Sequence, residues 1–582
     1  MMETDMPPTE DLSMAGRDLP PVRPAQPRDT VQVRFPDGRI FEAPRNAPLE
    51  AFVAAIQRPE DPLIVSALVE GKLVELAYAV DHDVAAEPIS IVHSDGARIY
   101  RRSLSYLLTV AARELFPDAD IVIDHSLSLS GLYCWVKGHP PLPAEEVARL
   151  EAHMRFLVEA NLPIVKRRVP LTEAREIFER QGYQDKVRLL HYRSKDYLKI
   201  YELRGISDYF YGHMVPSTGY LRRFALEPYP PGFILRFPRR HRPDALPPFR
   251  DSPKVAAVFR EYGEWMQFLE VYDVASLNQA IDEGRIREVI LVAEALHSRR
   301  MAEIAREIAR RSDQIQLVLI AGPSSAGKTT LSKRLGVYLL ANGVRPLPLG
   351  LDDYFVPRDE TPLGADGEPD FEALAAIDLE LFNKQLLALM DGREIRRPHY
   401  NFVTGMREEG PTLRLREGQV LLIEGLHGLN PHLIPRIPAE AVYRIYVSAM
   451  TQLNLDRHNR VPTTDTRLLR RMVRDARYRG YSARETIARW EKVRQGETRN
   501  IYPFQENADA MFNSALAYEQ AVLKPLAEPL LLQVEPGTLE WVEARRLLAF
   551  LEWFRPCPHD LVPDNSILKE FLGGSILREF RF

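Results

Sequence analysis

The sequence predicts a multidomain protein of α/β and α+β class whose C-terminal part is a doubly wound parallel sheet. Three observations predict it. The chain has 582 residues, and at about 150 residues per domain this suggests roughly three to five domains. Near the N-terminus apolar and polar residues alternate with the strand period of two around a turn. Beyond residue 312, short apolar runs are each followed by a glycine-rich or acidic turn and then by helical spacing.

Composition narrows the function classes. Hydrophobic residues make up 45% and charged residues 27%, an ordinary globular balance that allows a large core. The net charge of −5 and pI near 6.3 exclude a global cationic field, so nucleic-acid binding would need a local basic patch. Cys134 and Cys557 are the two cysteines, too few for a multi-bridge disulfide framework or a four-cysteine zinc site, and they fit a reducing compartment. The N-terminus, from Met1 to Asp5, lacks the basic and apolar regions of a signal peptide. Apolar runs such as Val420–Ile423 and Leu530–Val534 are strand-sized, well short of the ~20 residues a bilayer span needs. A soluble, cytoplasmic protein without a membrane segment is expected.

Residues 1–29, rich in proline and acid, are expected to form a flexible tail. Val31-Gln-Val-Arg-Phe35, the turn Pro36-Asp37-Gly38-Arg39 and Ile40-Phe41-Glu42 then read as a β-hairpin. Together with Leu68–Val74 and Ile89–Val92, residues 30–93 resemble the small β-grasp-like TGS domain of threonyl-tRNA synthetases and some GTPases. Residues 94–240 resemble the α+β editing domain that follows it in the synthetases, on Arg101–Leu108, Leu115–Ala119 and Val215–Gly219. The editing family's His-x-x-x-His pair falls on Arg102 and Tyr106, and its Cys-x-x-x-His pair on Phe210 and Met214, so no metal ligand or proton carrier of that motif remains. The resemblance therefore implies a recognition or docking module, with RNA or tRNA as a candidate partner, rather than an editing enzyme. Repeated Pro and Arg over 220–255 suggest an extended connector. Residues 241–311 are expected to link the halves, with an amphipathic helix over Glu288–Arg311.

Residues 312–582 carry the chemistry. The apolar run Ile315–Ile320 leads directly into Gly322-Pro323-Ser324-Ser325-Ala326-Gly327-Lys328-Thr329-Thr330, and an amphipathic helix follows. This is the P-loop spacing. Its backbone amides and helix N-terminus face phosphate oxygens, Lys328 neutralises β/γ-phosphate charge, and the Thr329 hydroxyl is placed for Mg²⁺. ATP and Mg²⁺ are the expected cofactors. Two more strand-like runs end at Asp352-Asp353 and at Glu424, which in a parallel sheet would bring phosphate binder and carboxylates to one edge. Between Arg457 and Arg479 eight arginines face two aspartates, and Arg467, Arg470, Arg471 and Arg474 fall at helical spacings.

These motifs resemble the uridine kinase and phosphoribulokinase family over about residues 312–540. The resemblance implies a nucleoside kinase in which Asp352 takes the proton from the acceptor hydroxyl and Glu424 helps hold Mg²⁺. It further implies that Glu372 binds ribose, Tyr400 and Phe402 flank the base, Arg471 lies near the acceptor, and Arg474 and Arg479 contact phosphates. Gly405 and Tyr481 stand where uridine kinases place a base-contacting His and Arg, which leaves a different nucleoside or a phosphorylated sugar open as acceptor beside uridine or cytidine. A nucleotide-sensing RNA- or ribosome-associated module is the alternative from another class. A GTPase is disfavoured because Asn383-Lys384-Gln385-Leu386 lacks the acid of the guanine-reading motif. The sequence shows no specific oligomer interface, although cores of this family often associate.

Overall fold

The computed structural model describes residues 28–127, 131–364, 367–451 and 453–580. The expected tail over 1–29 lies outside the described residues except for Arg28 and Asp29.

The N-terminal hairpin forms between Thr30–Arg34 and Ile40–Pro44, with Thr30 opposite Pro44 and Gly38 in the turn at φ 85°, where a side chain would be strained. These strands join Val84–Ser90, Ile64–Val69 and Lys72–Glu75 in a five-stranded mixed sheet. Helix Leu49–Ile56 closes the sheet's apolar face, burying Leu49, Phe52 and Val53 against Val31, Val33 and Phe35.

Next comes helix Ser94–Leu115, followed by a four-stranded antiparallel sheet in the order Ala225–Tyr229, Gly232–Arg236, Gly131–Lys137, Asp120–Leu127. The extended connector expected over 220–255 is thus corrected. Pro230 and Pro231 form the turn between its two strands, where no ladder N–H is needed, while Phe233, Ile234 and Leu235 are completely buried in the sheet.

The linker and connector expected over 241–311 is largely helical. Three helices, Pro253–Phe268, Val274–Asp282 and Ile286–Arg310, occupy most of it. Val271, Val274, Leu277 and Val289 share one buried core with Leu198 and Ile200 from the N-terminal half and with Leu468, Leu469, Val522, Leu547 and Phe550 from the C-terminal half. Helical spacing shows that such a helix has an apolar stripe, but not which surface covers it.

The C-terminal sheet has five parallel strands in the order Arg345–Gly350, Gln419–Glu424, Leu317–Ala321, Val442–Ser448, Ala510–Asn513. Central strand Leu317–Ala321 is buried throughout, as a strand covered on both faces should be. The register pairs Glu424 with both Ile320 and Gly350, so three strand ends and the loops that follow them meet at one edge. Leu530, from the short apolar run near the C-terminus, lies in helix Glu519–Leu532. Among the described residues no helix is long and apolar enough to cross a membrane.

Candidate active site

The loop Gly322–Gly327 follows the central strand. A side chain at Gly322 would strike the Val447 carbonyl, and Gly327, at φ 86°, caps helix Lys328–Ala341. Ser325 is also left-handed, at φ 59°, a turn that points successive amides inward to form an anion-binding concavity. Ala326 is buried, and its N–H donates to Pro323 O (3.2 Å). Lys328 Nζ closes the ring by donating to Gly322 O (2.8 Å) and Pro323 O (3.2 Å).

Thr329 Oγ1 donates to Glu424 Oε1 (3.1 Å), and Glu424 Oε2 is buried without a hydrogen-bond partner among the described residues. Burial, and then the nearby Glu570, push the Glu424 carboxyl up to about 7, against the pull of Lys328. An orphaned buried carboxylate oxygen beside a threonine hydroxyl fits a hard divalent cation, which in such sites takes few protein oxygens and completes its shell with water and phosphate. The residues present therefore fit Mg²⁺.

The tandem acids at the next strand end separate in role. Asp353 is tethered by His399 Nδ1 (3.1 Å) and Arg397 Nε (3.7 Å) from the hairpin Glu394–Asn401/Met406–Arg414. Asp352 faces the water of the cleft and has no side-chain hydrogen bond or ion pair among the described residues. Shielding by the cleft walls raises its carboxyl, Lys328 and Arg479 draw it down, and Asp353 raises it further.

Helix Thr463–Tyr478 divides its arginines. Arg467 and Arg470 are 0% exposed and brace the P-loop from behind. Arg467 pairs with Glu497 (Nη2–Oε2 2.8 Å) and donates to Ser324 O (3.0 Å). Glu497 also accepts the Ser324 N–H (2.9 Å). Arg470 pairs with Glu519 (Nε–Oε2 2.6 Å) and reaches Ser325 O (3.4 Å). Buried Asp475 gathers three more, receiving Arg474 at 2.8 Å, Arg471 at 3.2 Å and, just past the helix, Arg479 at 3.6 Å. Arg471 Nη1 also donates to Ser324 Oγ (2.7 Å). The expected phosphate contacts, Arg474 and Arg479, are thus held on Asp475 beside the loop. Arg471, expected at the acceptor, touches the loop itself.

Glu372 lies where helix Ala483–Asn500 presses in. A side chain at Gly496 would collide with Glu372 Cγ (2.7 Å), and Asn500 Nδ2 donates to Glu372 O (2.6 Å). Burial and then Glu497 raise its carboxyl to about 7, opposed by Lys328 and Arg471. Tyr400 is buried with its hydroxyl unpartnered, whereas Phe402 is 60% exposed. Both pack edge-on with Phe355, at 5.5 and 6.2 Å. Gly405 has a steric reason: at φ 74°, a Cβ there would meet the Arg358 side chain at 2.8 Å, and Arg358 Nη2 donates to Phe402 O (2.6 Å). The Tyr481 ring is covered by the Arg489 guanidinium at 4.0 Å.

Sequence reasoning missed Glu497, Glu519, Asp475 and Glu570. The acids 497 and 519 lie on separate helices and acquire meaning only by meeting buried arginines. Asp475 alone carried a signal, being the acid embedded in the arginine run.

In the N-terminal half, Arg102 Nη1 donates to His213 O (2.7 Å) and the Tyr106 hydroxyl donates to Ile206 O (2.6 Å), while Phe210 and Met214 are buried. His213 Nδ1 stands 3.4 Å from Glu75 Oε1. Among the described residues no group of three or more His, Cys, Asp or Glu could hold a metal ion.

Comparison with known proteins gives a separate match for each half. Residues 317–519 match the Phosphoribulokinase / Uridine kinase family. The N-terminal region matches threonine–tRNA ligases. Those of Symbiobacterium thermophilum and Paraburkholderia phymatum are each 29% identical over 197 residues, 34% of this chain and 30% and 31% of theirs. The chain thus spans under a third of the length of these relatives. Among solved structures, a putative fructose transport system kinase from Silicibacter sp. TM1040 aligns at 18% identity over 36% of this chain and 98% of its own, with TM-score 0.26. A possible uridine kinase from Bacillus stearothermophilus aligns at 19% identity over 35% and 99%, with TM-score 0.25.

Proposed function

From a chain that joins a Phosphoribulokinase / Uridine kinase family domain to a threonine–tRNA ligase-like region, we propose an ATP-dependent kinase acting in the cytoplasm on the 5′-hydroxyl of a nucleoside. The observation that carries the proposal is the unpartnered Asp352 carboxylate on the same sheet edge as Lys328, Thr329 and Glu424. Asp352 accepts the proton of the acceptor hydroxyl as its oxygen bonds to the γ-phosphorus, and the bond to the β,γ-bridging oxygen breaks to leave ADP. Gly322 to Thr330 cradle the phosphates, and Lys328 turns from its loop carbonyls to the γ-phosphate. Arg471, Arg474 and Arg479, poised on Asp475, close over the developing charge. Thr329 and Glu424 would hold Mg²⁺, which when bound neutralises charge on the phosphate oxygens. Glu372 orients the ribose hydroxyls, and Tyr400, Phe402 and Phe355 form the wall for the base.

A phosphorylated sugar is the second reading, favoured by Arg358 filling the space beside Gly405. The test is ADP production with ATP and Mg²⁺ against a panel of nucleosides and sugar phosphates, with Lys328→Ala as blank. Turnover with uridine or cytidine supports the first reading and turnover with a sugar phosphate supports the second. Silence with ATP still bound would replace both with a nucleotide-sensing module whose N-terminal half contacts RNA.

A further inference from the structure

The kinase proposal leaves unused a cavity of about 240 Å³ between the two halves. Its walls include Arg101 and Arg102 from helix Ser94–Leu115, Arg460 from the loop before helix Thr463–Tyr478, and Arg494 from helix Ala483–Asn500. A second recess of about 700 Å³ shares Arg101, Arg494 and Thr498 as walls. The cavity thus adjoins a broader hollow at the junction.

Part of the positive charge on this cavity's wall has no close carboxylate among the described residues. Two other arginines on its wall are neutralised, Arg98 by Glu543 (2.8 Å) and Arg546 by Asp465 (2.6 Å). By contrast, among the described residues no carboxylate lies within 4.0 Å of Arg101, Arg102, Arg460 or Arg494. Arg101 donates to Ala97 O (3.2 Å) and lies over the Phe237 ring. Arg102 donates to His213 O and lies over Tyr211. Among the described residues each of these two guanidiniums is held by one carbonyl and one ring, which leaves other N–H donors of its fork unused. Burial first, then Arg494 and Arg460, press the Arg101 guanidinium down to about 9, as mutual repulsion within a shielded space requires.

Like charges gathered in a recess cost stability, and a surface free of functional demand would disperse or pair them. A bound anion offsets that cost. Guanidinium forks suit phosphate oxygens in bidentate geometry, and Phe210, Tyr211, Tyr446 and Tyr502 line the cavity beside them. The recess is walled by both halves of the chain, which suits a small molecule better than a polymer strand.

We propose that this interdomain cavity is a second ligand site, distinct from the P-loop, that binds the phosphate chain of a small polyanion. The chain is either inorganic or carried by a nucleotide. Arg102 and Phe210, which stand at two of the positions where the editing-domain resemblance places metal ligands, here form part of an anion pocket.

The test uses the full-length Lys328→Ala protein, in which the P-loop lysine is absent, titrated calorimetrically with sodium tripolyphosphate and separately with ATP and GTP. One site per chain is expected. Arg101→Gln/Arg460→Gln in the same background should weaken binding at least tenfold while melting no lower, because it relieves repulsion. Should that double variant misfold, Arg494→Gln alone serves, with the same expectation. Equal affinity for tripolyphosphate and nucleotides identifies the inorganic chain, and at least tenfold tighter nucleotide binding shows that the rings hold a base. Either outcome supports the site. No binding to Lys328→Ala, or binding unchanged by the arginine substitutions, would overturn it. So would capture of a tRNA 3′-end oligonucleotide that tripolyphosphate does not displace, which would make the surface an RNA contact. Because the readout is binding without turnover, failure here is separate from failure of the kinase proposal.

Discussion

Glu570 Oε2 accepts the backbone N–H of Thr330 at 3.1 Å, across 240 residues of sequence. That amide belongs to the first turn of the helix after the P-loop, where free N–H groups and the helix dipole attract phosphate. The C-terminal segment around it is anchored there too. Ile567 packs on Gly327, and Lys333 Nζ donates to Leu577 O (2.7 Å) and Arg578 O (2.9 Å). A carboxylate therefore occupies an amide that the proposed nucleotide site would offer to phosphate. Glu570→Gln should tighten ATP binding by about 3- to 10-fold, the scale of one charged hydrogen bond partly replaced by a neutral one. Fluorescent-nucleotide titration reads this directly, and unchanged or weaker binding would show that the carboxylate does not compete.

Asp352→Asn removes the proposed proton acceptor while keeping the shape of the cleft. Turnover should fall by about 10²- to 10⁴-fold, the usual contribution of a general base, with ATP affinity within about twofold of the parent because Lys328 and the loop amides are untouched. Near-normal kcat would transfer the role to another group.

Glu497 holds Arg467 and the Ser324 N–H together inside the protein. Glu497→Gln leaves a fully buried guanidinium without its counter-charge, a loss on the order of 3–5 kcal/mol. It also frees the loop, so weaker ATP binding should accompany the lower melting temperature. A variant that melts normally would contradict this account of the P-loop brace.

Glu372 gives a pH dependence of definite sign. Its carboxyl is raised from an ordinary 4.5 to about 7, so between those values the folded chain holds more protons than the unfolded chain, and stability falls as pH rises through the window. Above about pH 7 the penalty is complete. Glu372→Gln removes it and should stabilise the protein at pH 8 by on the order of 1–3 kcal/mol, with little effect at pH 5. Parallel pH–melting curves for the two proteins would refute the shift.

Isolating residues 312–582 should yield an aggregating chain without a cooperative melt. Leu468, Leu469, Leu547 and Phe550 lose Leu198, Ile200, Val274 and Val289 as neighbours. Buried Asp456 loses Lys186, now at 2.8 Å, and is left as an uncompensated charge. A monomeric fragment with a sharp transition by circular dichroism would show that the halves fold independently.

The strand, P-loop and helix were legible in the sequence because each is made by neighbours: an apolar run sized for a covered strand, glycines at 322 and 327, then helical spacing. The carboxylates Asp352 and Glu424 were legible for the same reason, since strand ends reveal themselves where apolar runs stop. In the arginine run, identical residue types received opposite roles. Arg467 and Arg470 became buried struts, and Arg471, Arg474 and Arg479 gathered on Asp475, according to which face of one helix met an acid from another. The helices expected to be a linker joined a core because their apolar stripes found cover in both halves. Local order of residue types is written into the chain, and by itself it determined the phosphate-binding unit and its class of chemistry. The partner of each buried charge and apolar face is chosen only when distant segments pack, so the brace behind the P-loop, the carboxylate in front of it and the arginine cavity were decided by tertiary structure.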